Sequence, residues 1–333
     1  MNLITRDSLK ACLKSTIADM TLEQFAHLFI NEVTAIEEFY KLCCGVRAGN
    51  TISLLFNPHR LNVVTEAAVE RTSAPMSIFQ SLSDKGSEDY TEKIDGMARL
   101  FLYNLGYGSN NPFYATVQRG YNGVAYVNEF PPFVMRKILE EYAPKKDSVK
   151  VLDPCGGWGG RMIGTASFHG MSYTACEPST QTYDGLCRLG EWLKSLNPSF
   201  EFNVQCVPYE DLGMFDHKFD VAVTSPPYYN TEKYCDEPTN SLNRYSTYDE
   251  WVKEFYEPLI VDTMIRLTTE GVFILNIGDR KYSLSQDLMR ICEEHGYICA
   301  RIADYLSGNG DAKEKFYCIS RTQIKPTKLG GLF

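Results

Sequence analysis

Long apolar runs, paired cysteines and an excess of positive charge are all missing from this chain, and each absence excludes a class of protein. No apolar run approaches the ~20 residues needed to span a bilayer. Asp7 falls where a signal peptide would be entering its apolar core, which argues against export. A soluble, cytoplasmic chain with no membrane partner is expected. The 11 cysteines include no CxxC pair, and the closest spacing is the adjacent Cys43-Cys44, which suits neither a zinc knuckle nor an easy bridge. Buried, reduced thiols and no metal are the expectation. The formal net charge of −9 argues against the non-specific nucleic-acid affinity of basic proteins, and no basic stripe is visible.

What is present is enough apolar material, 44% of 333 residues, to bury a core in one large domain or two ordinary ones. The stretch around which the rest is organised is Phe219 to Tyr229, FDVAVTSPPYY. Val221, Ala222 and Val223 read as a buried strand that stops at Ser225-Pro226-Pro227. Two prolines in succession cannot donate to a ladder and hold Ser225 and Pro226 extended. The Ser225 hydroxyl, the Pro226 carbonyl and the Tyr228 ring are thus presented together at the carboxyl end of a strand, where open α/β sheets place their ligands.

Residues 1–108 read as a mainly helical domain. Thr21 and Gln24 make a capping box ahead of one amphipathic run, Phe25 to Leu42, that ends near Gly45. Thr51 to Thr65 reads as a short hairpin or an irregular arm around Asn57-Pro58, and a second helix is expected over Tyr90 to Leu105. From residue 109 to 333 a second domain is expected, beginning with a Gly-, Asn- and Tyr-rich segment up to 128 that reads as loops with a hairpin at Tyr121-Asn122-Gly123. Phe130-Pro131-Pro132 then leads into a helix over Phe133 to Tyr142. Strands are expected at Ser148 to Leu152, Ser172 to Cys176, Phe202 to Cys206, Phe219 to Thr224 and Val272 to Asn276. Helices are expected at Arg161 to Phe168, Tyr183 to Leu193, Tyr248 to Leu267 and Ser285 to His295. Two last strands, Tyr297 to Tyr305 and Phe316 to Arg321, suggest a hairpin at one edge. Alternating strands and helices predict a doubly wound, mostly parallel α/β sheet.

The first strand of that series ends in Asp153-Pro154-Cys155-Gly156-Gly157-Trp158-Gly159-Gly160. Such a loop turns tightly, lets backbone approach a ligand and opens a helix whose first N–H groups are free. It is neither a Walker loop nor the usual dinucleotide GxGxxG. Glu177, about twenty residues on at the end of the next strand, stands where a carboxylate accepts both hydroxyls of a ribose. Loop and acid together favour a nucleoside-containing cofactor.

DPCGGWGG followed by TSPPYY resembles the amino-methyltransferases that use S-adenosylmethionine to methylate the exocyclic amine of cytosine or adenine in DNA. Those enzymes carry DPFxGxGT and then Ser, Asp or Asn before Pro-Pro-Tyr. Asp153, Pro154, Gly157 and Gly159 match the first motif, while Cys155, Trp158 and Gly160 replace Phe, a small residue and Thr. The resemblance, which spans about Phe130 to Arg321, implies a Rossmann-like class I methyltransferase fold with a seven-stranded sheet and S-adenosylmethionine as cofactor. It makes Glu177 the ribose-binding acid, Glu210 or Asp211 the contact to the adenine ring, and Phe130 and Pro131 part of the motif that covers the cofactor.

The implied chemistry accounts for the residue types. A nucleobase amine is a poor nucleophile because its lone pair is delocalised. Acceptors on its two N–H bonds, Ser225 Oγ or carbonyl and the Pro226 carbonyl, draw it towards tetrahedral geometry and stabilise the growing positive charge. Pro227 holds the turn and Tyr228 stacks on the flipped base. Ser225, instead of Asp or Asn, favours N4 of cytosine over N6 of adenine. The motif order resembles the γ-type, which usually carries a large C-terminal recognition domain. Here the chain ends soon after its last strand, so DNA recognition, of a single strand or a flipped base, is expected from the N-terminal domain, from Tyr228 to Tyr245, or from a protein partner. Within that segment the four tyrosines, Tyr228, Tyr229, Tyr234 and Tyr245, are candidate base stackers, and Lys233 and Arg244 candidate phosphate contacts. An acceptor other than duplex DNA, such as RNA, a nucleotide or a protein amide, and a non-catalytic relative are the alternatives.

Overall fold

Five parallel strands and a terminal antiparallel pair are what the computed structural model shows. It describes residues 11, 21–27, 30–62, 64–65, 129–279, 281–306 and 312–323. The chain divides into two compact units, one of residues 1–35, 51–128 and 231–234 and one of 36–50, 129–230 and 235–333. The expected boundary at 108, the helix over 90–105 and the hairpin at 121–123 lie outside the described residues.

In the first unit, Thr21 and Gln24 form the expected capping box, Thr21 N–H donating to Gln24 Oε1 at 2.8 Å and Gln24 N–H to Thr21 Oγ1 at 3.2 Å. The run behind it is two helices instead of one, α1 (Leu22–His27) and α2 (Glu32–Cys43), and α2 belongs to the second unit from Ile36 on. Asn31 starts the second by accepting from Thr34 N–H at 3.0 Å, and a cap side chain competes with continuation of the helix. The arm around Asn57-Pro58 is irregular, with 3₁₀ turns at Ile52–Leu55 and Pro58–Asn62. The short strand β1 (Val64–Thr65) pairs antiparallel with β6 (Glu232–Lys233).

The second unit holds the sheet. In chain order come α3 (Pro132–Tyr142), β2 (Val149–Asp153), α4 (Gly160–Ala166), β3 (Met171–Cys176), α5 (Thr180–Leu196), β4 (Glu201–Gln205) and β5 (Phe219–Thr224). After them come α6 (Ser241–Arg244), α7 (Tyr248–Trp251), a π-turn (Val252–Tyr256), α8 (Glu257–Arg266), β7 (Leu267–Ile277), α9 (Leu284–Glu294), β8 (Ile298–Leu306) and β9 (Ala312–Ser320). The strand order is β4-β3-β2-β5-β7-β9-β8. β2 is parallel to both β3 and β5, and β9 inserts antiparallel between β7 and β8. This is the seven-stranded, Rossmann-like class I methyltransferase arrangement. One departure is local: β7 begins at Leu267, ahead of Gly271.

Every residue of β5 is buried, as a central parallel strand covered on both faces requires. Strand order reverses between β2 and β5, so the loops after these two strands open into the crevice where such sheets bind ligands. Those loops are DPCGGWGG and SPPYY. Pro132 occupies the first turn of α3, and that helix packs closely on α4. A Cβ at Gly164 would lie 2.6 Å from both Met135 Cβ and the Pro132 carbonyl. Among the described residues no helix is long and apolar enough to cross a membrane. The described cysteines are all free; Cys176, Cys292 and Cys318 are buried as expected, but Cys44 and Cys206 are exposed.

Gly164→Ala is therefore expected to lower the unfolding free energy by about 1–3 kcal/mol, the usual cost of overpacking. Urea denaturation checks it, and an unshifted midpoint would show that α3 does not rest on α4 at this contact.

Candidate active site

Asp153 ends β2 with its side chain fully buried, and four donors converge on it. Arg161 Nε lies 2.7 Å from Oδ2, the Tyr173 hydroxyl 2.5 Å from Oδ2, the Thr224 hydroxyl 2.8 Å from Oδ1, and Cys155 N–H 3.3 Å from Oδ1. Thr224 also accepts from Cys155 N–H at 3.1 Å. The last residue of β5 is thus bonded both to the last residue of β2 and to the glycine loop. Asp153 was expected among the cofactor contacts. Its accessible surface is nil and its oxygens are engaged by protein, so it organises the loop from behind. Pro154, next along, is buried as well.

The loop turns at Gly157 (φ +56°) and Gly159 (φ +103°), conformations that L side chains rarely adopt. Gly156 N–H donates to the Cys176 carbonyl at 2.8 Å and Gly157 N–H to Glu177 Oε2 at 3.0 Å, which holds the turn against the end of β3. Glu177 Oε1 accepts from Ser179 N–H at 3.0 Å. Burial pushes the Glu177 carboxyl up to about 7, against the two N–H donors that favour its ionised form. Burial likewise pushes the Cys155 thiol well above its ordinary range, so it is no thiolate nucleophile. Phe130 reaches the same corner: the Arg161 guanidinium lies 5.1 Å from its ring centroid, and the Pro131 carbonyl accepts from Val134 N–H to start α3.

Glu210 and Asp211 lie in a single turn after β4 and part ways there. Asp211 is forked by Arg244, whose Nη2 is 3.0 Å from Oδ1. That bond holds the Asp211 carboxyl below its ordinary range. Glu210 Oε1 accepts from the Tyr245 hydroxyl at 2.7 Å, while its Oε2 is buried with no partner. A buried acceptor without a donor is what an adenine amine would satisfy, and the carboxylate of Glu177 retains lone pairs for ribose hydroxyls. In both respects the residues present fit S-adenosylmethionine.

Ser225, Pro226, Pro227 and Tyr228 follow directly. Ser225 Oγ is 3.3 Å from the Tyr228 hydroxyl, which is 3.5 Å from the Asn276 carbonyl at the end of β7. If Tyr228 donates to that carbonyl and Ser225 to Tyr228, the Ser225 oxygen keeps its lone pairs for an incoming N–H. Tyr229 is not at the surface expected of a base stacker. It adopts φ +53°, is 8% exposed, and packs between Tyr248, Trp251 and Tyr282 at centroid distances of 5.8, 5.9 and 5.3 Å. Arg244, expected on phosphate, is occupied by Asp211 and Glu210. Lys233 and Tyr234 belong to the first unit, Lys233 in β6. From 235 on, the segment leans on cofactor-side elements: Glu237 accepts from Thr180 N–H at 3.1 Å and Thr180 Oγ1 at 2.9 Å, capping α5 beside Glu177.

No family model and no curated protein matches this chain. Among solved structures it is similar to a TehB-like SAM-dependent methyltransferase from Corynebacterium glutamicum, at 13% identity and TM-score 0.38, over 66% of this chain and 99% of that one. It is also similar to an rRNA methylase from Streptococcus thermophilus, at 13% identity and TM-score 0.38, over 59% and 98%. A glycopeptide N-methyltransferase, MtfA, complexed with S-adenosyl-L-homocysteine matches at 12% identity and TM-score 0.40, over 59% and 89%. At these values the likeness says nothing about cofactor, reaction or substrate.

Thr224, Arg161 and Tyr173 were not legible as site residues, and Tyr245, expected as a base stacker, is instead bonded to Glu210. A threonine ending a strand and an arginine opening a helix are ordinary in sequence, and only the shared carboxylate shows their role. Among the described residues no cluster of His, Cys, Asp and Glu could hold a metal ion.

Glu177 generates a pH prediction with two opposite signs. In the empty protein its carboxyl titrates at about 7 instead of 4.5, so its contribution to stability is complete below about 4.5 and is lost as pH rises through about 7. With ribose hydroxyls to accept, the ionised form is required, so affinity for S-adenosylhomocysteine should rise as pH passes through about 7. Calorimetric titrations across that range check it. A pH-independent affinity, or one that Glu177→Gln leaves unchanged, would remove Glu177 from the site.

Proposed function

We propose that the chain is an S-adenosylmethionine-dependent methyltransferase acting on the exocyclic amine of a nucleobase in DNA, N4 of cytosine ahead of N6 of adenine. The observation that carries this reading is the pair of bonds from Thr224 to Asp153 and from Cys155 to Thr224. They set the glycine loop beside the strand end from which Ser225 and Pro226 project. Glu177, the free oxygen of Glu210, Gly157 and Gly159 supply the cofactor side of the same crevice, with Phe130 and Pro131 against its outer corner.

S-adenosylmethionine, when bound, supplies an electrophilic methyl group. Ser225 Oγ and the Pro226 carbonyl accept the two N–H bonds of the amine, which localises its lone pair and stabilises charge as it develops. The two prolines keep these acceptors extended and preorganised. Tyr228, tethered through its hydroxyl, fixes the plane against which a flipped base stacks. No protein nucleophile takes part, and none is needed.

Two observations favour a second acceptor class. Arg244 is neutralised by Asp211 and Glu210, and the net charge is −9. Both disfavour a long phosphate track and favour single strands, RNA or a small planar amide, or a protein partner that brings the DNA.

Ser225→Ala is expected to lower turnover by about 10²-fold with cofactor affinity held within about twofold. The assay is transfer of labelled methyl from S-adenosylmethionine to mixed-sequence DNA, single-stranded and duplex, with nucleoside analysis of the digest. N4-methylcytosine or N6-methyladenine is the expected product. Label that reaches RNA or a protein amide but never DNA would replace the acceptor, and an unchanged Ser225→Ala rate would remove Ser225 from the chemistry.

A further inference from the structure

Pro258 sits inside the long helix that follows the SPPYY loop, at the position whose N–H would close an α turn on the Glu254 carbonyl. It has no N–H to give. The helix widens there into the π-turn Val252–Tyr256, with Glu257 N–H reaching back to the Val252 carbonyl. The Glu254 carbonyl accepts from a side chain instead, the Tyr245 hydroxyl at 3.3 Å. Insertions of this kind are frequently found at functional sites.

The same hydroxyl is 2.7 Å from Glu210 Oε1. Tyr245 itself is 7% exposed, and its ring packs against Phe255, one residue beyond Glu254. Its ring position is therefore set by the turn and its hydroxyl lies between two acceptors. Burial first, and the Glu210 bond second, raise the Tyr245 hydroxyl above its ordinary range, so it stays a donor at any physiological pH. Arg244 Nε stands 3.4 Å from the same Glu210 oxygen. Both anchors act on Oε1, and Oε2 is left buried and without a partner. Asp211, by contrast, has both oxygens on Arg244.

We infer that Tyr245 is a positioning residue. Held by the turn that Pro258 opens, it aims Glu210 so that Oε2, and not Asp211, accepts from the amine of the cofactor's adenine. This rests on the proposed reading that an adenosyl cofactor occupies the crevice, and it adds what the resemblance left open, which of the two acids reads the base and what orients it. A carboxylate so aimed would select an amino purine over a 6-oxo purine, because the oxo group offers it no donor and places one acceptor against another.

The test is equilibrium binding of S-adenosylhomocysteine and of its 6-oxo analogue S-inosylhomocysteine to the full chain. Wild-type protein should prefer the adenosyl compound by at least about tenfold. Tyr245→Phe keeps the ring and removes only the hydroxyl. It should reduce that preference to within about threefold in protein that still unfolds cooperatively, a selectivity change that a merely structural role would not produce. Glu210→Gln should reduce it similarly, and Tyr245→Phe added to Glu210→Gln should have no further effect. A full preference in Tyr245→Phe, or one lost in Asp211→Asn but kept in Tyr245→Phe, would overturn the inference. Equal wild-type affinity for the two compounds would overturn it while leaving an adenosyl site in place. No binding of either would overturn it together with the proposed function.

Discussion

One buried carboxylate, Asp153, bridges the end of β2, the glycine loop, the start of α4, β3 and the end of β5. Taking a carboxylate and a guanidinium out of water is costly, and the pair with Arg161 is tolerable because further donors meet the carboxylate's remaining lone pairs. Tyr173, Thr224 and Cys155 N–H are those donors. Loss of one partner of such a pair typically costs about 3–5 kcal/mol. Loss of Asp153 would also remove the acceptor that orients the Thr224 hydroxyl. The glycine loop and the end of β5 would then be joined through the Cys155 N–H to Thr224 bond without the carboxylate that fixes both.

Under the proposed function, the surroundings of that hub divide into a cofactor side and an acceptor side. Glu177 and Glu210 are both buried acids, and each has part of its carboxylate tied to protein while lone pairs are left over. Segment 235–245 spans the cofactor side, clipped to α5 through Glu237 and to the turn after β4 through Arg244. The segment between SPPYY and the long helix is thus spent largely on bonds to α5 and to the turn after β4. Few of its charges remain for a nucleic acid, which agrees with the acidic balance of the chain.

Much of the sheet could be read in sequence, because strand ends were marked by prolines or glycines and the apolar runs lay between them. β5 is the clearest case: VAV bounded by SPP leaves little freedom. Where reading failed, a polar residue's partner lay far off along the chain. Arg244 looks like a phosphate contact until Asp211 arrives beside it, and Tyr245 looks like a base stacker until Glu210 and the Glu254 carbonyl are found on its hydroxyl. Tyr228 and Tyr229 are indistinguishable by type, yet the positive φ at Tyr229 turns one ring into an aromatic core while the other stays beside Ser225. The break of α1 from α2 at Asn31 was missed because apolar periodicity continues across it, and a single cap side chain decides against it.

In the proposed reaction a methyl donor and an amine acceptor meet where the glycine loop and SPPYY come together. A crystal structure of the chain with S-adenosylhomocysteine tests this most directly. The adenosyl ribose is expected on Glu177 and the thioether sulfur facing the Pro226 carbonyl and Ser225 Oγ across a gap wide enough for a planar amine. A sulfur pointing away from Ser225 and Pro226, or a nucleoside bound outside the crevice between β2 and β5, would contradict it.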